Sequence, residues 1–202
     1  MIHILYIIAI TAEAMTAALS AGRRDMDIVG VCIIAWITAL GGGTIRNVLF
    51  GHYPMTWIEH PEYLIITAGA ALLTIFIARF MSRLKKIFLY LDALGLVIFT
   101  IIGCQVAQGI ELPWIIVLFS GMVTGCAGGV MRDVLCNDIP VLFQKEIYAT
   151  ASILTGIVFL AVETWKGSET IAMFCASGVG LAIRLLSIRY EWQMPKFIYR
   201  DE

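Results

Sequence analysis

Long apolar runs separated by short polar junctions dominate this chain. Seven stretches, roughly 2–21, 28–49, 62–80, 87–107, 112–133, 147–163 and 169–189, approach the about 20 apolar residues that a membrane-crossing helix needs. Gly22-Arg23-Arg24-Asp25-Met26-Asp27 parts the first two runs, and Met81-Ser82-Arg83-Leu84-Lys85-Lys86 parts the third and fourth. Gly109 and Pro113 mark the next turn, and Trp165-Lys166-Gly167-Ser168 the last. The runs are continuous and do not alternate. They therefore predict helices, which satisfy their own backbone groups in lipid, and not the shorter alternating strands of a barrel. The first run starts Met-Ile-His-Ile with no Lys or Arg, and Glu13 interrupts it. It is read as a retained span despite the cleavage-like triplet Ala12-Glu13-Ala14.

Composition agrees with that pattern. Of 202 residues, 60% are hydrophobic and 14% are charged, where a soluble domain carries about 25% charged residues. The formal net charge is −1, from 14 Lys+Arg and 15 Asp+Glu. No basic patch interleaved with aromatics occurs, which excludes a nucleic-acid partner. The basic residues Arg23, Arg24, Arg79, Arg83, Lys85, Lys86, Lys145, Arg189, Lys196 and Arg200 fall in alternate loops and the tail, and only Lys166 lies clearly on the other side. The positive-inside rule then places the N-terminus outside and the C-terminus in the cytoplasm of a multi-pass cell (inner) membrane protein.

The five cysteines, Cys32, Cys104, Cys126, Cys136 and Cys175, form no CxxC pair and read as small buried hydrophobes. His3, His52 and His60 have no zinc-binding spacing. Neither a Walker loop nor a GxGxxG between strand and helix is present. No Ser/His/Asp grouping or carboxylate pair has a substrate cleft. The chain is read as a non-enzyme without a cofactor.

One segment recurs. Residues 38–54, TALGGGTIRNVLFGHYP, align without a gap on residues 124–140, TGCAGGVMRDVLCNDIP, at an offset of 86. Thr38/Thr124, Gly42/Gly128, Gly43/Gly129, Arg46/Arg132, Val48/Val134, Leu49/Leu135 and Pro54/Pro140 are identical. The copies end spans two and five. Three spans separate them, so matching elements cross in opposite senses, a plan common in secondary transporters. The expected architecture is an all-α membrane protein of seven transmembrane helices. Residues 1–85 form one three-helix repeat and 86–166 an inverted second, followed by a seventh helix at 167–189 and a cytoplasmic tail at 190–202.

Candidate chemistry concentrates in the repeated segment. Gly41, Gly42 and Gly43, and Gly128 and Gly129, permit either close packing or a break, as a kink or a short unwound segment, that lines a hydrated path; the second is favoured here. Arg46 and Arg132 follow within a turn, and a charge at this depth needs pairing or water. Asp133 is beside Arg132, whereas Asn47 is beside Arg46, so the halves differ electrically. Adjacent helix positions do not face each other, so a partner on another helix is equally open. Glu13 lies mid-span with no cation within four residues, which makes it a candidate for a polar pathway or gate. Asp92 lies near the start of span four, where it caps or pairs, and Glu163 is read as interfacial. Thr16, Thr38, Thr44 and Thr124 offer hydroxyls.

At these residues the sequence resembles the prokaryotic trimeric intracellular cation (TRIC) channels, whose repeat also carries the label "glycine transporter". GGGTIRNVLFGHYP and GGVMRDVLCNDIP are similar to the paired signatures of that family. Residues 91–103, LDALGLVIFTIIG, resemble its fourth helix, and residues 12–30 the end of its first helix with the following loop. The resemblance spans about residues 5–189. It implies a homotrimer in membrane lipid, with a water-filled pore in each subunit lined by glycine-bent helices two and five. The implied permeant ions are K+ and also Na+, held transiently near the bends. Carried over by position, Gly41–Gly43 and Gly128–Gly129 are the bends, and Arg46, Arg132 and Asp133 flank them. Two departures are Asn47, where the family often has aspartate, and Ala127, in place of the first glycine of a triple run. Basic groups disfavour cations, so the arginines are read as structural or gating groups and backbone carbonyls as the cation contacts. The competing reading is a secondary transporter of a small solute such as glycine.

Overall fold

The computed structural model describes residues 2–78, 80, 84–144, 147–190 and 192. Among these the chain is all-helical. The helices are α1 (Ile2–Gly22), α2 (Ile28–Phe50), α3 (Thr56–Glu59), α4 (Glu62–Ala78), α5 (Leu84–Gly109), α6 (Trp114–Leu135), α7 (Val141–Gln144), α8 (Ile147–Lys166) and α9 (Glu169–Tyr190). All except α3 and α7 coincide with the seven apolar runs to within a few residues. Six are long and apolar enough to cross a membrane, and α4 is a shorter apolar helix of 17 residues. The one-turn helices α3 and α7 were too short for an apolar period to reveal them.

Local chemistry fixes the ends of α2 and α6 in parallel ways. Asp27 caps α2 by accepting a hydrogen bond from the Gly30 N–H at 2.7 Å, filling one orphan donor of the first turn. Gly51 closes α2 in the left-handed region at φ 64°, and Asn137, its counterpart after α6 at the 86-residue offset, has φ 54°. Glycine and asparagine tolerate that conformation best. The next residues repeat one another too: His52 N–H donates to the Asn47 carbonyl at 2.9 Å and Asp138 N–H to the Asp133 carbonyl at 2.8 Å.

Helix α5 is the most enclosed span. Of its apolar stretch 72% is buried, against 33% for α8 and for α9. It packs against α1, α6, α8 and α9. Tyr6, Ile98, Phe99, Ile102 and Tyr63 form one apolar cluster with α2 residues Ala39 and Leu40. A second joins α5 to α6, α8 and α9 through Val97, Ile101, Val117, Phe159 and Met173. Cys104, Cys126 and Cys136 are buried as expected. Cys175 is exposed and Cys32 half-buried, against that expectation, because the apolar faces of α2 and α9 are only partly covered in the single chain.

Several basic loop residues gather at one end. Arg24 pairs with Asp138, Arg23, Lys85 and Asp138 line one recess, and Lys85, Lys86 and Arg189 line another. The loops grouped by the charge pattern are thus brought together. Arg79, Arg83, Lys145, Lys196 and Arg200 lie outside the described residues, as does the side chain of Lys166.

Candidate functional site

The two copies of the repeated segment meet where α2 crosses α6. A Cβ built on Gly42 would lie 2.3 Å from the Thr124 carbonyl oxygen, and one on Gly128 would lie 2.2 Å from the Thr38 carbonyl oxygen. Thr38 and Thr124 are themselves repeat partners, as are Gly42 and Gly128. The crossing is therefore reciprocal: each helix offers a glycine to the other's threonine carbonyl. The glycine hydrogen standing where a Cβ would be points at that carbonyl, a Cα–H···O approach that recurs at helix interfaces.

This corrects the expectation of an unwound turn. The helix runs unbroken through Gly41–Gly43 and Gly128–Gly129. No backbone carbonyl is released there for a cation, because the glycines serve backbone proximity and intact helix costs less than orphaned polar groups in lipid. The Thr38 and Thr124 hydroxyls are likewise turned inward on their own helices. Thr38 Oγ1 donates to the Ile34 carbonyl and Thr124 Oγ1 to the Ser120 carbonyl, both at 2.7 Å. Such back-bonding satisfies the hydroxyl within the helix. Gly41 faces the end of Met131, and Gly43 has the Arg46 Nη2 at 3.7 Å from its built Cβ.

Beyond the crossing lies a buried charge cluster. Arg132 is fully buried. Its Nε donates to Asp133 Oδ1 at 2.8 Å. Its Nη1 donates to Asp92 Oδ1 at 3.0 Å and to Thr16 Oγ1 at 2.8 Å, and lies 3.5 Å from Glu13 Oε2. Its guanidinium carbon sits 4.6 Å over the Phe88 ring. The adjacent acid and partners on other helices thus both serve Arg132. The long side chain curls back to Asp133, against the simple expectation that neighbouring helix positions do not meet. Asp133 Oδ2 also accepts from the Val141 N–H at 2.9 Å, tying α6 to α7.

Glu13, chosen for lacking a sequence-local cation, finds Arg132 from α6. Its Oε2 is 3.1 Å from the Thr16 hydroxyl. Asp92 is fully buried and receives a further bond from the Tyr148 hydroxyl at 3.3 Å. Glu163 accepts from Gln108 Nε2 at 2.5 Å, away from the cluster.

Two members were missed from the sequence. Arg184 of α9 is fully buried, with Nη2 3.6 Å from Asp92 Oδ2 and its guanidinium carbon 4.6 Å over the Tyr148 ring. None of its guanidinium nitrogens has a hydrogen-bond partner among the described residues. The available signal was an arginine inside the apolar run LAIRLLSI, one turn and a half before the end of the last span. Tyr148 carried no signal.

The equivalent site in the first half is built differently. Arg46 is buried, and its Nε and Nη2 both donate to Asn47 Oδ1, at 2.9 and 2.7 Å. Its Nη1 has no partner among the described residues. Shifted by 86, Asp92 corresponds to Tyr6, Glu13 to Phe99 and Thr16 to Ile102. Three polar groups around Arg132 are thus replaced by one phenol and two apolar side chains. The electrical inequality seen between Asn47 and Asp133 extends through the whole shell. Among the described residues the buried carboxylates Glu13, Asp92 and Asp133 equal in number the buried guanidiniums Arg46, Arg132 and Arg184, yet all three carboxylates lie in the Arg132 half.

A recess of about 250 Å³ reaches this half from the end that carries the basic loops, lined by Arg23, Lys85, Phe88, Asp133 and Asp138 among others. No group of three His, Cys, Asp or Glu side chains suited to holding a metal occurs among the described residues.

Buried arginines flanking a helix crossing, one of them in an ion cluster, inside a bundle with six helices able to span a bilayer, define a polytopic membrane protein with a charged interior. The comparisons narrow that class. A family model described as "Glycine transporter" matches twice, at residues 3–79 and 89–164, which is the repeat seen in the sequence. The chain belongs to that family, and specifically to its TRIC channel members. It is similar over its whole length to two solved TRIC structures. One is a TRIC cation channel analysed for conductance, 32% identical, TM-score 0.89, covering 99% of this chain and 98% of that one. The other is the TRIC orthologue from Rhodobacter sphaeroides, 30% identical, TM-score 0.91, covering 95% and 98%. Among curated relatives, the inner membrane protein YadS of Escherichia coli is 38% identical over 98% of this chain and 96% of its own. The membrane protein YvgT of Bacillus subtilis is 30% identical over 98% and 97%.

Proposed function

We propose that this protein is a monovalent cation channel, passing K+ and also Na+, with one water-filled pore in each subunit of a homotrimer. Its helices form two inverted three-helix repeats, residues 1–85 and 86–166, and a seventh helix, with the N-terminus outside and the C-terminus in the cytoplasm of the inner membrane. The observation that carries the reading is the reciprocal Gly42/Gly128 crossing, flanked by buried Arg46 and Arg132, in a fold shared with solved TRIC channels. Glu13, Thr38, Gly41–Gly43, Arg46, Asn47, Asp92, Thr124, Gly128, Gly129, Arg132 and Asp133 are the pore or gate residues of this proposal.

The physics assigns them different parts. Three buried carboxylates give the Arg132 half a supply of negative charge, and its recess opens to solvent. Carboxylates favour cations. Arg132 and Arg184 hold those carboxylates together and limit their attraction, so a cation can leave as well as enter. At the crossing, backbone touches backbone, so the conformation described is closed there and conduction requires α2 and α6 to move apart. The glycines make that movement feasible, because at Gly42 and Gly128 the facing groups are backbone and no side chains interlock there.

The test is planar-bilayer recording of purified protein under K+, Na+ and Cl− gradients. Unitary current steps that reverse near the cation equilibrium potentials support the channel. The family model's description keeps one alternative in play, a secondary transporter of a small solute such as glycine. Saturable, ion-coupled uptake without current steps would replace the channel reading.

A further inference from the structure

Two histidines far apart in sequence meet at the end of the bundle opposite the basic loops. His3 lies in the first turn of α1, and His60 closes α3 just before α4. Their ring centroids are 5.2 Å apart and their planes are inclined at 57°, so the rings are close without being stacked. His3 is exposed and His60 half-buried, which leaves both within reach of solvent.

One nitrogen of each ring is already taken. His60 Nδ1 donates to Glu62 Oε1 at 3.0 Å, and His3 Nδ1 lies 2.7 Å from the Tyr63 hydroxyl oxygen. A carboxylate only accepts, so in neutral His60 the proton sits on Nδ1 and Nε2 keeps its lone pair. The Tyr63 oxygen can accept from His3 Nδ1 in the same way. Metal-binding imidazoles are held like this, with one nitrogen bonded to an oxygen that fixes the tautomer and orients the other toward the ion. Tyr63 is buried and packs on Tyr6 at 4.8 Å between ring centroids, so its hydroxyl is a fixed anchor. The spacing fits as well. Two imidazoles sharing one tetrahedral zinc at about 2.0–2.1 Å have their ring centres about 5 Å apart. Charge favours a cation here. Glu59 and Glu62 flank His60, and no Lys or Arg occurs before Arg23 or between Arg46 and Arg79.

We propose that His3 and His60 bind a transition-metal cation of the zinc class through their Nε2 atoms, with Glu62 and Tyr63 orienting the rings and water completing the coordination. Imidazole suits Zn2+, whereas Ca2+ and Mg2+ take oxygen ligands. Structural zinc sites use four protein ligands; two make a site that fills and empties with the surrounding metal concentration. The bound ion fastens the start of α1 to the corner between α3 and α4. That corner is already tied to α2, because Trp57 Nε1 donates to Thr44 Oγ1 at 3.1 Å, one residue past Gly43. Metal binding therefore links α1 to α2 at this end of the bundle.

Thermal unfolding of the full chain in detergent, free of any affinity tag, tests this against zinc concentration, whatever the protein conducts. Zinc at ten times its dissociation constant is expected to raise the melting temperature by about 3–6 °C, from mass action and the size of the chain. His3→Gln and His60→Gln should each abolish that rise while melting close to the unaltered protein in EDTA. His52→Gln, at an exposed histidine outside the pair, should keep it. Tyr63→Phe and Glu62→Gln leave both ligands in place and should weaken zinc binding, measured by calorimetric titration, by about 10- to 100-fold. A zinc-induced rise that survives His60→Gln overturns the proposal, since the ion would then bind elsewhere on the chain. The absence of any rise with zinc in excess overturns it too, and so does an equal rise with Ca2+, which would mark a carboxylate site.

Discussion

Replacing Gly42 with alanine tests the closed crossing most directly. The new methyl would stand 2.3 Å from the Thr124 carbonyl oxygen and 3.3 Å from its carbon. Ordinary contact begins near 3.4 Å, so the two helices must separate by about 1 Å at this point. The obstacle is backbone, which cannot rotate away as a side chain can. Overpacking of this kind costs about 1–3 kcal/mol. Alanine's helix propensity returns up to about 1 kcal/mol, so the steric term wins. Gly128→Ala meets the Thr38 carbonyl oxygen at 2.2 Å and should behave the same. Gly69, in α4, has nothing within 4 Å of a built Cβ and serves as the control. Thermal unfolding in detergent should show Gly42→Ala and Gly128→Ala each melting several degrees lower, about 2–4 °C per kcal/mol for a chain of this size, with Gly69→Ala unchanged or slightly raised. The double variant should cost less than the sum, because one separation of the helices relieves both collisions. Equal stability of Gly42→Ala and Gly69→Ala, or full additivity, would refute the reciprocal contact.

Other outcomes follow from the charge cluster. Arg132→Ala removes the cation that touches Glu13, Asp92 and Asp133, and breaking a buried pair costs about 3–5 kcal/mol. Melting and oligomer state should change, while the K+/Na+ reversal potential of the surviving channels should not; a switched cation preference with normal assembly would count against the structural role of Arg132. Asn47→Asp gives Arg46 a charged partner in place of a neutral one, and charge-assisted bonds are roughly twice as strong, so melting should rise. Gly95→Ala places a methyl 2.0 Å from Glu13 Oε1; it should pull Glu13 from Arg132 and lower stability, with Glu13→Ala in the same background restoring part of the loss. Cysteines at positions 41–46 and 127–132 should react with aqueous reagents from opposite sides of the membrane. Reaction from one side only, or none under any condition, would remove the proposed pathway.

The apolar pattern by itself determined the helices. A run of about 20 apolar residues has one low-cost solution in lipid, a helix that satisfies its own backbone, and all seven runs became helices. The repeat was legible too, because an ungapped glycine–arginine–proline register at an offset of 86 is visible in the letters alone. Asn47 against Asp133 already showed that the halves differ in charge.

Tertiary structure decided the rest, because partnership across helices has no sequence period. Glycines in a helix are equally compatible with a break and with a close neighbour, and only the facing Thr124 and Thr38 carbonyls settled the matter for Gly42 and Gly128. Glu13 and Arg132 stand 119 positions apart, and Arg184 reaches Asp92 from a helix outside the repeat. A buried charge takes whichever opposite charge the packing delivers to it, since leaving it unpaired in a low-dielectric interior costs more than any local preference can offset. The sequence could show that these charges needed partners; the way the helices pack chose them.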